Sequence, residues 1–314
     1  MYENTTLVHN PTFKLQFLAP KFWLTWLGVV ILYSLSWLPQ GVQFSLGRLL
    51  GRLVHRFVKK RRKIAEVNLK LCFPDMDEQT RSAMVLKNME NTGIATFETG
   101  MAWWWPDWRI KRAIGSIQGL EHFKAAQDSG KGVLLLVPHM LHLEMLGRVL
   151  GTDTQGIGFY RPHNNPLMEY FMTKGRLRSN EFLIGKRDVK GLLKALHNKK
   201  VCYYLPDQDY GRKRCEFAPF FAVPDAATTT GTLLFSSSKK CETLSLTGVR
   251  DEQGKYHITI HPAMADFPSE DENHDVTRVN KRMEQSIMQA PEQYMWLHRR
   301  FKTRPDEDAP SHYS

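Results

Sequence analysis

GVLLLVPHMLHLEML, residues 132–146, sets the terms for the rest of the chain: an uncharged apolar run enters Pro138, meets His139, and passes into a helical pattern containing Glu144. A short apolar run ended by proline is a buried strand, and the apolar spacing that follows has a helical period. Five residues turn a helix by about 500°, so His139 and Glu144 cannot share a face if both lie well inside one helix. His139 therefore belongs on the turn, with Glu144 in the opening turns of the helix. From there the carboxylate is expected to reach one ring nitrogen and leave the other facing a pocket, as a general base requires.

Outward from this stretch, apolar runs at Gly156 to Tyr160, Val201 to Leu205, Thr243 to Val249 and His257 to Ile260 alternate with helical patterns. The expected fold class is α/β, with a central mixed sheet flanked by helices. Upstream, residues 22–38 carry no charge and place Trp23, Trp26 and Trp37 near the ends of the run, which predicts a membrane anchor helix that spans the bilayer or lies deep in its interface. Residues 39–63 put Leu46, Leu49, Leu50, Leu53 and Phe57 on one helical face and Arg48, Arg52, Arg56 and Lys60 on another. That is a basic amphipathic helix, suited to an anionic leaflet, with a solvated helix on the protein's own core as the alternative. The expected organisation is a tail at 1–21, the anchor at 22–38, the basic helix at 39–63, the α/β domain at 64–305 and a disordered tail at 306–314.

The chain has 314 residues and a formal net charge of +11, from 43 basic and 32 acidic residues, which favours anionic partners. Cys72, Cys202, Cys215 and Cys241 are widely spaced, as free thiols on the cytoplasmic side of a membrane would be. The run Lys59 to Lys63 points to the same side. Nucleic acid is not the expected partner, since the apolar segment just upstream supplies a simpler anionic surface. HMLHLE at 139–144 lacks the HExxH pattern of zinc hydrolases, although His139 and His142 leave a metal site open as an alternative. There is no GxSxG elbow to supply a covalent nucleophile. Arg161, Arg176 and Arg178 form a candidate cationic cluster for phosphate, against solvated arginines. Asp207 and Asp209 in LPDQDYG are candidates for holding their own loop or a substrate sugar, with a plain turn or magnesium as alternatives.

The HxxxxE stretch resembles that of the bacterial lipid A late acyltransferases. It is followed in family order by YRPHNNPL at 160–167, GRLRSN at 175–180 and YLPDQDYG at 204–211. TGMAWWWPD at 99–107 and PEQYMWLHRRFKTRP at 291–305 are also similar, and the glutamate variant is more like the lauroyl and palmitoleoyl enzymes than the myristoyl enzyme. His163 stands where relatives often have asparagine. The resemblance implies a glycerol-phosphate-acyltransferase-like fold at the inner membrane, facing the cytoplasm. It implies direct transfer of an acyl chain from acyl-carrier protein to a 3-hydroxyl of an acyl chain on a phosphorylated, Kdo-bearing lipid A precursor. It also implies His139 as base, Glu144 as its orienter, and Arg161, Asn164, Arg176, Arg178, Asp207 and Asp209 on the substrate, with no metal or other cofactor. Lysophospholipid or glycerol-phosphate acylation, a membrane-anchored scaffold and a metal hydrolase are the competing functions.

Overall fold

The computed structural model describes residues 7–313. Of the expected tails, residues 1–6 and 314 lie outside those described. Residues 7–22 do not hang free: β1 (Leu7–Val8) adds an antiparallel edge strand, and Phe17 and Phe22 pack with Leu167 in a small apolar cluster. Trp26 Nε1 donates to the Phe17 carbonyl at 2.8 Å and fastens this segment to α1 (Trp23–Ser36).

The expected anchor is corrected here. α1 has 14 residues, and among the described residues no helix is long and apolar enough to cross a membrane. At ~1.5 Å per residue it reaches about 21 Å, short of a core of roughly 30 Å. Pro39 ends it, because the residue before a proline is pushed out of the helical region.

The basic segment is two helices, α2 (Gln40–Phe57) and α3 (Lys59–Cys72), broken at Val58. α2 buries Gln43, Phe44, Gly47 and Gly51 against the 27-residue α4 (Glu78–Trp104). The crossing is close because glycine meets glycine: a Cβ at Gly93 would lie 2.5 Å from the Gly51 nitrogen, and one at Gly47 would lie 2.6 Å from the Ile94 Cα. The leucine face that the spacing singles out points away from this contact, with Leu49, Leu53 and Phe57 exposed. α4 starts at an N-cap, where the Asp77 carboxylate accepts from the Thr80 N–H at 2.8 Å. It ends at Trp105-Pro106, and α5 (Asp107–Ala113) leads into β2 (Ile114–Gln118).

After α6 (Leu120–Asp128), the apolar run becomes β3 (Gly132–Leu136), buried along its whole length. It is followed by α7 (Leu143–Leu150), β4 (Gly156–Tyr160), α8 (Pro166–Arg176), β5 (Asn180–Gly185), α9 (Val189–His197) and β6 (Val201–Tyr204). A hairpin of β7 (Cys215–Phe220) and β8 (Val223–Thr229) precedes α10 (Gly231–Ser236). β9 (Cys241–Arg250), β10 (Tyr256–Ile260) and α11 (Glu272–Ile287) complete the regular elements.

The main sheet has eight strands in the order β1-β5-β4-β6-β3-β9-β10-β2. The five strands from β5 to β9 run parallel, β1 is antiparallel to β5, and β10 is antiparallel to β9 but parallel to the edge strand β2, so the sheet is mixed as expected. A fully buried leucine stabilises by about 1.5–3 kcal/mol, and Leu134, Leu135 and Leu136 in the central strand are all buried. The C-terminal segment differs from the expected free tail. Tyr313 is buried, accepts from the Phe301 N–H at 2.9 Å and donates to Asn68 Oδ1 at 2.5 Å.

Candidate active site

Two adjacent parallel strands end alike. In β3 and β6, Leu136 pairs with Tyr204, and the Val137 N–H donates to the Tyr204 carbonyl at 3.0 Å. Each chain then runs through a proline, Val137-Pro138-His139 on one side and Leu205-Pro206-Asp207 on the other. His139 and Asp207 both lie three positions past the paired residues, so the register brings them together across the carboxyl ends of the strands, where open α/β sheets form their crevices.

The Asp207 carboxylate takes His139 by two bonds. Oδ1 lies 2.6 Å from ring Nδ1 and Oδ2 accepts the His139 backbone N–H at 2.7 Å. Nε2 keeps no hydrogen-bond partner among the described residues. Burial alone would raise the Asp207 carboxyl, but the neighbouring imidazole and its hydrogen bonds hold it below the usual carboxylate range.

Glu144 does not reach His139, contrary to the sequence expectation. It sits in the first turn of α7, on the side that faces α8 and α4. One oxygen accepts from Arg176 Nε at 2.9 Å and Nη2 at 2.5 Å, and the other from Trp103 Nε1 at 3.1 Å. Burial pushes the Glu144 carboxyl up, yet the Arg176 charge and these donors hold it below the usual range. The helix start adds a favourable field for an anion.

A cavity of about 1380 Å³ opens beside His139. Leu143, Gly147, Met172, Leu183 and Phe235 give it apolar walls, and Glu144 and Arg176 line it as an ion pair. Arg161, Lys186, Arg187, Lys213 and Arg214 stand exposed around its lining.

The remaining predicted residues divide. Asp209 lines the cavity but is committed to the chain: it accepts from the Gly211 N–H at 2.8 Å, the Thr303 N–H at 2.8 Å and the Thr303 hydroxyl at 2.9 Å. Arg178 is not brought to the cavity; it donates to the Trp103 carbonyl at 2.9 Å and lies 3.9 Å from Asp107. Asn164 is exposed and off the cavity wall, whereas the next residue, Asn165, caps α8. His142 is buried with its ring 5.8 Å from that of Tyr256, and burial pushes its imidazole down to about 4. Among the described residues no three His, Cys, Asp or Glu side chains are grouped to hold a metal ion.

Sequence reasoning missed how the C-terminal block is used. The Leu141 N–H donates to the Gln293 carbonyl at 2.8 Å and the Met295 N–H to the His139 carbonyl at 3.0 Å, so this strap pairs with the turn that carries the imidazole. Asn68 Nδ2 donates to the Trp296 and His298 carbonyls at 2.6 and 2.7 Å, and Asn88 Nδ2 to that of Tyr294 at 2.7 Å. His298 and Lys302 thereby reach the cavity lining.

An imidazole fixed by a carboxylate at the carboxyl ends of parallel strands, beside a large and mainly apolar cavity with cations around it, is the arrangement of an α/β enzyme that handles an amphipathic substrate. The family model described as bacterial lipid A biosynthesis acyltransferase matches residues 10–303, and the chain belongs to that family of acyltransferases. It is 46% identical over 308 residues to the lipid A biosynthesis lauroyltransferase of Escherichia coli (strain K12), covering 98% of this chain and 100% of that one. The palmitoleoyltransferase of the same strain is 44% identical over 294 residues, 93% of this chain and 95% of that one. Identity to its myristoyltransferase is 29% over 308 residues, covering 96% and 94%. Among solved structures, the 1-acyl-sn-glycerophosphate acyltransferase PlsC from Thermotoga maritima is similar with a TM-score of 0.39 at 9% identity, over 81% of this chain and 98% of that one.

Proposed function

We propose that this protein transfers a lauroyl or palmitoleoyl chain from acyl-carrier protein to a 3-hydroxyl of an acyl chain on a phosphorylated, Kdo-bearing lipid A precursor. The names of the relatives support the reaction class, and their higher identity favours these two chains over myristoyl. The observation that carries the chemistry is the Asp207–His139 contact at 2.6 Å. With Nδ1–H donating to Asp207, Nε2 holds a lone pair and takes the proton of the acceptor hydroxyl. The oxygen then attacks the thioester carbonyl, the C–O bond forms and the C–S bond breaks. The departing sulfur takes the proton back from Nε2. Asp207 stabilises the imidazolium in between.

Glu144 and Arg176 hold each other, so their part is to shape the cavity wall past the reacting atoms. The exposed cations Arg161, Lys186, Arg187, Lys213 and Arg214 match phosphate and carboxylate on the acceptor and the acidic face of the donor. On the outer surface, Leu15, Trp23, Leu24, Leu27 and Ile31 are exposed before α2, and Leu49, Leu53 and Phe57 follow on it. We assign this surface to the inner leaflet of the bacterial inner membrane, lying in the interface, with Lys59, Lys60 and Arg61 beside anionic headgroups.

Mass spectrometry of lipid A from cells with and without the protein tests the function. One added acyl group, dependent on His139, supports it. Acylation of glycerol phosphate or a lysophospholipid in place of the lipid A precursor overturns it.

A further inference from the structure

Among the residues of α7 that line the cavity, Leu143, Gly147 and Leu150 are spaced four and three apart and share one side of the helix with Glu144. Gly147 differs from the other glycines on that wall. A Cβ at Gly158 would lie 2.8 Å from Leu183 Cδ2, one at Gly175 would strike the Trp103 ring, and one at Gly231 the Tyr204 hydroxyl. A Cβ built on Gly147 meets no heavy atom within 4 Å, although the residue is half-buried and lines the cavity. Nothing in the packing asks for glycine there, and glycine weakens the middle of a helix relative to alanine. What the glycine does is keep the cavity wide one turn past the Glu144–Arg176 pair.

We propose that Gly147 sets the length of acyl chain accepted from the donor, the chain running from His139 past the Glu144–Arg176 pair and over Gly147 between α7 and α8. This rests on the acyl-transfer function proposed above. Leu143 and Leu150 on α7 and Met172 and Gly175 on α8 give apolar lining on the two helices, beside the polar Arg148 and Ser179. The acceptor's own chains have a bilayer to stay in, whereas the donor's chain must be buried once it leaves its carrier. A Cβ added at residue 147 enters that path without displacing protein atoms.

Gly147→Ala, Gly147→Val and Gly147→Leu, in the full chain, are assayed with acyl-carrier donors bearing saturated chains of decreasing length. One methylene in an apolar pocket changes selectivity by roughly 10–200-fold, so kcat/KM for the longest donor relative to the shortest should fall at least tenfold, in the order Ala, Val, Leu. The alanine variant should melt no lower than wild type, since alanine favours the helix, and it keeps the test open if the larger variants fold poorly. Unchanged donor ratios in folded variants overturn the assignment, as does a changed acceptor KM with unchanged donor ratios. If wild type transferred no acyl chain at all, the function proposed above would fail, a result distinct from either of these.

Discussion

Asp207 holds His139 through both the ring and the backbone, at 2.6 and 2.7 Å, although 68 positions separate them in the chain. The first bond sets the tautomer and the second sets the turn, so one carboxylate fixes both which nitrogen is free and where it points. Asp207→Asn keeps the shape but cannot stabilise an imidazolium, and should lower kcat by about 10²- to 10⁴-fold. Glu144→Gln should lower kcat far less, because its carboxylate meets Arg176 instead. If Glu144→Gln lost kcat to that extent while Asp207→Asn behaved as wild type, the orienting carboxylate would be Glu144 after all.

Stability should fall on acidification over a defined window. Burial lowers the His142 imidazole from 6.5 to about 4, so between these values the unfolded chain binds a proton that the folded one excludes. The neutral form's contribution is complete above about 6.5 and lost progressively towards pH 4, by about 3 kcal/mol at ~1.36 kcal/mol per unit. His298, also lowered to about 4 by burial and less deeply enclosed, adds to the same slope. Urea midpoints from pH 7 to pH 4.5 should show the fall, and His142→Asn should flatten it.

The glycine crossing of α2 on α4 tolerates no added carbon. Gly93→Ala opposes backbone rather than a flexible side chain, with the Gly51 Cα at 3.0 Å from the new carbon, and should cost about 1–3 kcal/mol or more. Gly28→Ala on α1, with nothing within 4 Å, should be neutral or stabilising by a few tenths to about 1 kcal/mol. Equal midpoints for the two variants would show that the helices do not rely on this approach.

Vesicle binding should depend on the outward side of α2 as well as on charge. Replacing Leu49, Leu53 and Phe57 together by serine removes three exposed apolar side chains and should weaken flotation with anionic vesicles at least tenfold. The residual binding, carried by the basic run, should vanish at high salt. Unaltered flotation of the triple variant would place the membrane contact elsewhere.

Donor use should respond to ionic strength. An acidic carrier meeting the cations around the cavity associates more slowly as salt rises, whereas acyl coenzyme A loses less. Stopped-flow or initial-rate measurements across one salt series decide it, and equal decline for both donors would remove docking of the carrier.

The strands legible in the sequence are those with apolar runs, β3 buried along its whole length and β4, β6, β9 and β10 buried at most of their positions. β5 was not, because NEFLIG opens with polar residues, and β2 was not, because it is a half-buried edge. The β7–β8 hairpin carries a proline in each strand and stands outside the main sheet, so neither period nor propensity marks it. In the basic segment apolarity singles out leucines, whereas the contact with α4 is made through glycines that no apolar period marks. At the site, His139 was legible from the strand end alone. Its partner was not, because a nearby glutamate fitted the local spacing and only strand register brings Asp207 across. The twin endings Val-Pro-His and Leu-Pro-Asp were the signal for it.

The strap from Gln293 to Met295 has a consequence for synthesis on the ribosome. Every strand of the main sheet is translated before the two backbone partners of Leu141 and His139 emerge. A nascent chain halted short of residue 293 would carry the imidazole and its carboxylate but lack the second edge of the turn between them. The reactive geometry is thus completed late in translation, and an interrupted polypeptide is left without it.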